Sequence, residues 1–146
     1  MKLKDEEVIP MKAILCKPIL TQKLLTYHTS VVKLEKDKDD EFSTLKSMYH
    51  LLGCRCIDCA TVTLQDKVFD VWFDDEFIYS QQPLLPNVLT DRQQLILGNV
   101  LIAKADKEGV TIGLEDGEIE MVAEWLLDNH SQAIKHYNAI VKKMTA

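Results

Sequence analysis

Apolar and polar positions alternate along the first third of the chain, and a period of two is the signature of a half-buried strand. Residues 11–20 (MKAILCKPIL) and 25–34 (LTYHTSVVKL) follow it, the second rich in β-branched and aromatic side chains. Pro18 limits pairing near the end of the first run. The charged segment 35–40 (EKDKDD) reads as a solvated connector. In residues 41–52 the period changes. Phe42, Leu45, Tyr49 and Leu52 recur at intervals of three and four, which predicts a helix with Asp40 as its N-cap and Gly53 just past its end. Residues 54–64 and 67–73 return to strand patterning around Gln65-Asp66. The loop 80–89 leads to Thr90-Asp91-Arg92-Gln93, a capping-box pattern that predicts a single helical turn. Residues 95–105 (LILGNVLIAKA) form the most apolar strand, with Gly98 predicting a bulge and residues 110–114 its hairpin partner. Two stripes close the chain. Ile119, Val122, Ala123 and Leu126 predict one helix, and Ile134, Tyr137, Val141 and Met144 predict a second, with Ser131 as its cap.

These elements make an α+β chain. The expected architecture is a mixed or antiparallel sheet with one internal helix and two C-terminal helices, packed mainly on one face. Residues 1–10 read as an N-terminal arm ending at Pro10, and residues 11–146 as one domain.

Composition narrows the class. The 146 residues are 47% hydrophobic and 27% charged, an ordinary globular mixture able to build a core without disulfides or metal. Seventeen basic against 23 acidic residues leave a net charge of −6, which argues against a nucleic-acid partner, since neutralising phosphates needs a basic face. No apolar run reaches the roughly 18 residues of a membrane span, and the charged start has no apolar segment of a signal peptide behind it. A cytoplasmic protein is expected, with Cys16, Cys54, Cys56 and Cys59 as free thiols and no cofactor.

Several side-chain groups offer chemistry. His50, Cys54, Cys56 and Cys59 spell H-x3-C-x-C-x2-C, and all four can ligate zinc. Strand alternation, however, sends Cys59 to the face opposite Cys54 and Cys56, so packed thiols are expected instead. Asp74-Asp75-Glu76 reads as a solvated hairpin end. His28, His50, His130 and His136 sit in no nucleophile motif, so no catalytic residue is assigned. Asn87 in a proline-framed loop, with Gly98 and Asn99, supplies donors, acceptors and an approachable backbone, a modest ligand-binding constellation. Trp72 beside Asp70 can anchor a flat ligand or a partner, and Arg55 and Arg92 are the nearest guanidinium groups for an anion. Beyond its inward stripe the C-terminal region carries Met121, Trp125, Leu127 and Ile140, more than one sheet face can bury. A homodimer is expected with Trp125 and Ile140 at its interface.

The order of several short pieces resembles the phage and plasmid family known as domain of unknown function 3846. They are the opening strand Met11-Lys12-Ala13-Ile14-Leu15, the helix ending at Gly53, the Asp75-Glu76 turn, Pro86-Asn87, Gly98-Asn99-Val100-Leu101-Ile102, and Gly113-Leu114-Glu115-Asp116-Gly117-Glu118. Cys54, Phe77 and Glu115 stand where that family more often has glycine, glycine and a hydroxyl residue. The resemblance implies an α+β domain and a mobile-element origin, with no established reaction. The expected function is therefore a non-enzymatic accessory protein that binds a small, nucleotide-like host signal, as an anti-defence protein does by sequestration. The alternative is an inhibitor of a host protein that docks through the acidic and aromatic surface of residues 72–79. A metal-dependent enzyme ranks third.

Overall fold

The computed structural model describes residues 11–76 and 84–145. In chain order the elements are β1 (Met11–Thr21), β2 (Leu24–Leu34), α1 (Leu45–Leu52), β3 (Ile57–Leu64), β4 (Lys67–Asp74), β5 (Pro86–Leu89), β6 (Leu95–Leu97), β7 (Val100–Ala105), β8 (Thr111–Ile112) and α2 (Asp116–Thr145). The main sheet runs β2-β1-β7-β4-β3, with β8 added to the end of β7. Every pairing in it is antiparallel, so the fold is α+β.

Two tight hairpins set the register. Gln22 and Lys23 both take positive φ, as do Gln65 and Asp66. That is the type I′ geometry whose twist matches the flanking strands. The first turn pairs Thr21 with Leu24 and runs the β1–β2 ladder unbroken to Met11–Leu34. Counting from a two-residue turn, Pro18 falls at a non-hydrogen-bonded pair, beyond the short stretch Ile14–Cys16 that β1 shares with β7. A missing N–H costs nothing there.

The sheet is buried on both faces, not covered mainly on one. Ile14, Cys16, Phe69, Val71, Phe73, Val100 and Ile102 point to the face covered by α2 and β5–β6, where Val88, Ile96, Val122 and Leu126 meet them. Ala13, Leu15, Leu101 and Ala103 point the other way, to Met48 and Leu52 of α1. Double burial explains why the middle of β1 and residues 100–103 of β7 read as continuous apolar runs.

Four expectations need correction. There is one C-terminal helix of 30 residues where the sequence predicts two. Its inward stripe continues through Asn129, His130 and Ala133, all buried, so the polar segment around Ser131 is helix interior. The internal helix starts at Leu45. Residues 37–43 form a compact turn in which Asp40 accepts a hydrogen bond from the Phe42 N–H at 3.0 Å and caps no helix. Thr90 starts no helical turn; its Oγ1 accepts from the Gln94 N–H at 3.2 Å and closes the β5–β6 connection. The apolar run 95–105 is two strands. Gly98, at φ +85°, turns the chain from the small β5–β6 sheet into β7.

Glu118 anchors the start of α2. Its Oε1 accepts the Glu115 N–H at 2.8 Å, which is half of a capping box, and the Lys104 ammonium lies 2.7 Å away. Burial pushes the carboxyl up, but Lys104, the Glu115 N–H and Lys67 outweigh it and hold the group below its ordinary value. At the far edge of the sheet, Asp91 accepts from the Thr63 N–H and hydroxyl at 3.1 and 2.7 Å and gives its own N–H to Thr61 O. The outer edge of β3 is thereby occupied.

Candidate functional site

Asn87 is the extra residue of a bulge between Pro86 and Val88 in β5. The irregularity turns its side chain into the interior, where it is fully buried. The amide Nδ2 donates to Cys16 O at 3.1 Å and to Gly98 O at 2.8 Å, which leaves Oδ1 facing His130 Nε2 at 3.2 Å. An acceptor there fixes the imidazole as the Nε2–H tautomer. The same nitrogen lies 3.4 Å from Cys16 Sγ, and Thr29 Oγ1 donates to that sulfur at 3.5 Å. Tyr27 stacks flat on the imidazole and gives its hydroxyl to Pro86 O at 2.7 Å.

A cysteine, a histidine and an asparagine thus meet in the core. A nucleophilic site needs a thiolate and an imidazole that bridges the thiol and the orienting amide through its two nitrogens. Here one nitrogen faces both partners. Burial raises the Cys16 thiol, outweighing the hydrogen bonds from Thr29 and Asn87, and burial lowers His130 to about 4. The cluster is an uncharged, solvent-excluded network. It ties β1, β2, β5 and the middle of α2 together. Asn129 adds to it by closing both bonds to Leu89, accepting from its N–H at 2.8 Å and donating to its carbonyl at 2.9 Å.

Of the residues singled out in the sequence, Asn87, Gly98 and Asn99 come together, while Trp72, Arg55 and Arg92 lie apart from them. Asn87 is used by the fold. Gly98 makes the strand corner beside it, and Asn99 next to it is half-buried and has a partner. Trp72 lies on the opposite face, half-buried against the α1 cluster. Arg55 is exposed and holds Glu76 at 2.9 Å, while Arg92 is exposed in the β5–β6 connection. Trp125 packs half-buried against the core on the α2 face, and Ile140 is exposed further along the helix. Phe77 and Tyr79, and the arm 1–10, lie outside the described residues. Cys54 is half-buried, Cys56 exposed and Cys59 half-buried. Among the described residues no group of three His, Cys, Asp or Glu side chains is placed to hold a metal ion.

A different group is assembled by the fold. Where β2 ends, the connector doubles back onto α1. The Glu35 N–H bonds Ser47 Oγ at 3.1 Å, the Asp37 N–H bonds Ser43 O at 2.8 Å, and Asp37 Oδ1 accepts the Lys46 N–H at 3.3 Å. The result is an open cleft of about 510 Å³ lined by Lys33, Lys36, Lys38, Lys46 and His50, with Glu35 and Asp37 as the acids. Lys46 reaches Asp39 at 3.5 Å, an exposed pair of little energetic weight. Lys36 also lines a neighbouring cavity of about 870 Å³ that carries the exposed Phe42 ring with Met11 and Ile112. The rim of that cavity is acidic, with Asp106 and Glu115 among its residues. A concentration of ammonium groups beside an aromatic ring and carboxylate acceptors can hold a small anion that also has a flat, amine-bearing part.

No curated protein and no solved structure matches the chain. A family model matches residues 27–127, a span that includes α1 and the whole lysine cleft. The chain belongs to the family defined by DUF3846, a domain of unknown function.

Proposed function

We propose that this protein is a non-enzymatic binder of a small, nucleotide-like anion, held in the cleft between β2 and α1. One observation carries the reading: four lysines and a histidine, against the two carboxylates Glu35 and Asp37, line one cleft of a chain whose net charge is −6. An excess of positive charge in a concavity raises the local concentration of anions. Phosphate groups would sit on Lys36 and Lys46, and the base would lie toward Phe42. The uncharged Cys16–His130–Asn87 network supports a binding role over a nucleophilic one. Sequestration of a host signal by a mobile-element accessory protein is the biological setting that fits such a binder.

Native mass spectrometry of protein purified from its own host tests this. A retained phosphorylated small molecule, absent from the Lys36→Glu/Lys46→Glu variant, is the expected result. A co-purifying host protein in its place would favour the inhibitor reading, and stoichiometric zinc the metal-dependent enzyme.

A further inference from the structure

The two edges of the main sheet are treated differently. Asp91 occupies the outer edge of β3 through the Thr61 and Thr63 backbone. No strand among the described residues pairs with the outer edge of β2, which is 11 residues long. An edge that must stay single is commonly interrupted by proline, a bulge or inward charge. β2 has none of these. Its ladder with β1 is regular throughout, it holds no proline, and its ionisable groups beyond Tyr27 are only His28 and Lys33. Leu24 is 65% exposed and Val31 53% exposed on this strand.

We infer that β2 is an interface, and that its occupant is β2 of a second copy, paired antiparallel about a two-fold axis at Thr29. The register follows from the hairpin. The two-residue turn makes Thr21–Leu24 a hydrogen-bonded pair, so the odd-numbered residues Leu25 to Lys33 turn their N–H and C=O groups outward. A dyad at Thr29 places outward residues opposite outward residues: Thr29 faces its own copy, Tyr27 faces Val31, and Leu25 faces Lys33. It keeps like charges apart, since His28 falls opposite Ser30. Tyr27 and Val31 share the α2 face of the sheet, so each exposed valine covers the partner's tyrosine, a favourable aromatic–β-branched pair. A self-complementary strand needs no second surface to close a dimer. This interface meets the lysine cleft only at Lys33 and does not use Trp125.

Sedimentation velocity on the full chain tests it, with two variants chosen to leave the monomer intact. Val31→Pro removes an outward N–H and spares the β1–β2 bonds; Val31→Glu sets a carboxylate against the electron-rich face of the partner's ring. The expected result is a wild-type dimer at tens of micromolar and monomers for both variants, with circular dichroism and melting of the variants like the wild-type monomer on dilution. A wild-type chain that stays monomeric at 100 µM overturns the proposal, whether or not another protein's strand binds there. So does a dimer that survives in both variants.

Discussion

Tyr27 lies face to face on His130, ring centroids 3.5 Å apart and planes within 5° of parallel. The stack seals the polar network where β2 meets α2, and it sets how the fold responds to acid. His130 titrates at about 4 in the folded chain against 6.5 when exposed. The unfolded chain therefore takes up a proton first as the pH falls. The contribution is complete above pH 6.5, is lost progressively between 6.5 and about 4, and does not change further below that. After discounting for solvent screening, the loss is about 2 kcal/mol. Urea midpoints should fall across this window in the wild type. His130→Gln should be less stable at pH 7 but show a flatter slope; an equal slope in the variant would remove His130 as the cause.

Glu118 responds in a separate window. Its folded value is held below the ordinary 4.5 by Lys104, the Glu115 N–H and Lys67 against the upward push of burial. Its stabilisation is present above pH 4.5 and is lost as the pH falls through the folded value. Glu118→Ala leaves the largely buried Lys104 without its 2.7 Å partner and should cost about 2–4 kcal/mol. The double variant Lys104→Met/Glu118→Leu should recover most of it. Thermal melts of the three proteins decide, and an additive double variant would contradict the pairing.

The cysteines should separate by reactivity. Cys16 is fully buried and Cys56 is exposed. Burial lifts Cys59 to about 12 and, with the Asp74 charge, Cys54 to about 11. In native protein a thiol reagent should label Cys56 first and Cys16 only on unfolding, as peptide mapping would read. Melting should be insensitive to chelator. Rapid native labelling of Cys16 would mean that the Tyr27–His130 seal opens.

The strands were legible from alternation, and Gln65-Asp66 marked one hairpin turn; the Gln22-Lys23 turn appears only in the backbone, where both residues take positive φ. The faces were less so. Leu101 and Ile102 are both core, on opposite faces, and a continuous apolar run does not say which. The break expected near Ser131 fails because Asn129 and His130 are polar residues spent on buried partners, which a reading of apolar stripes takes for an exposed turn. Asn87 was legible as a special position, but its partners, Cys16 and His130, are distant in sequence. The lysine cleft was invisible for a different reason. Lys33, Lys36, Lys38 and Lys46 are interleaved with Glu35, Asp37, Asp39 and Asp40, so the linear charge cancels. Only the turn between β2 and α1 brings these lysines round one cleft.

The most direct test of the binding account is a titration of labelled protein with nucleoside triphosphates and cyclic dinucleotides, followed by backbone amide shifts. The account predicts that at least one of them gives saturable shifts centred on residues 33–51, including Phe42, and that Lys36→Glu/Lys46→Glu abolishes them without loss of fold. No saturable shift from any of them at millimolar concentration, or shifts centred on Asn87 and Trp72 instead, would contradict it.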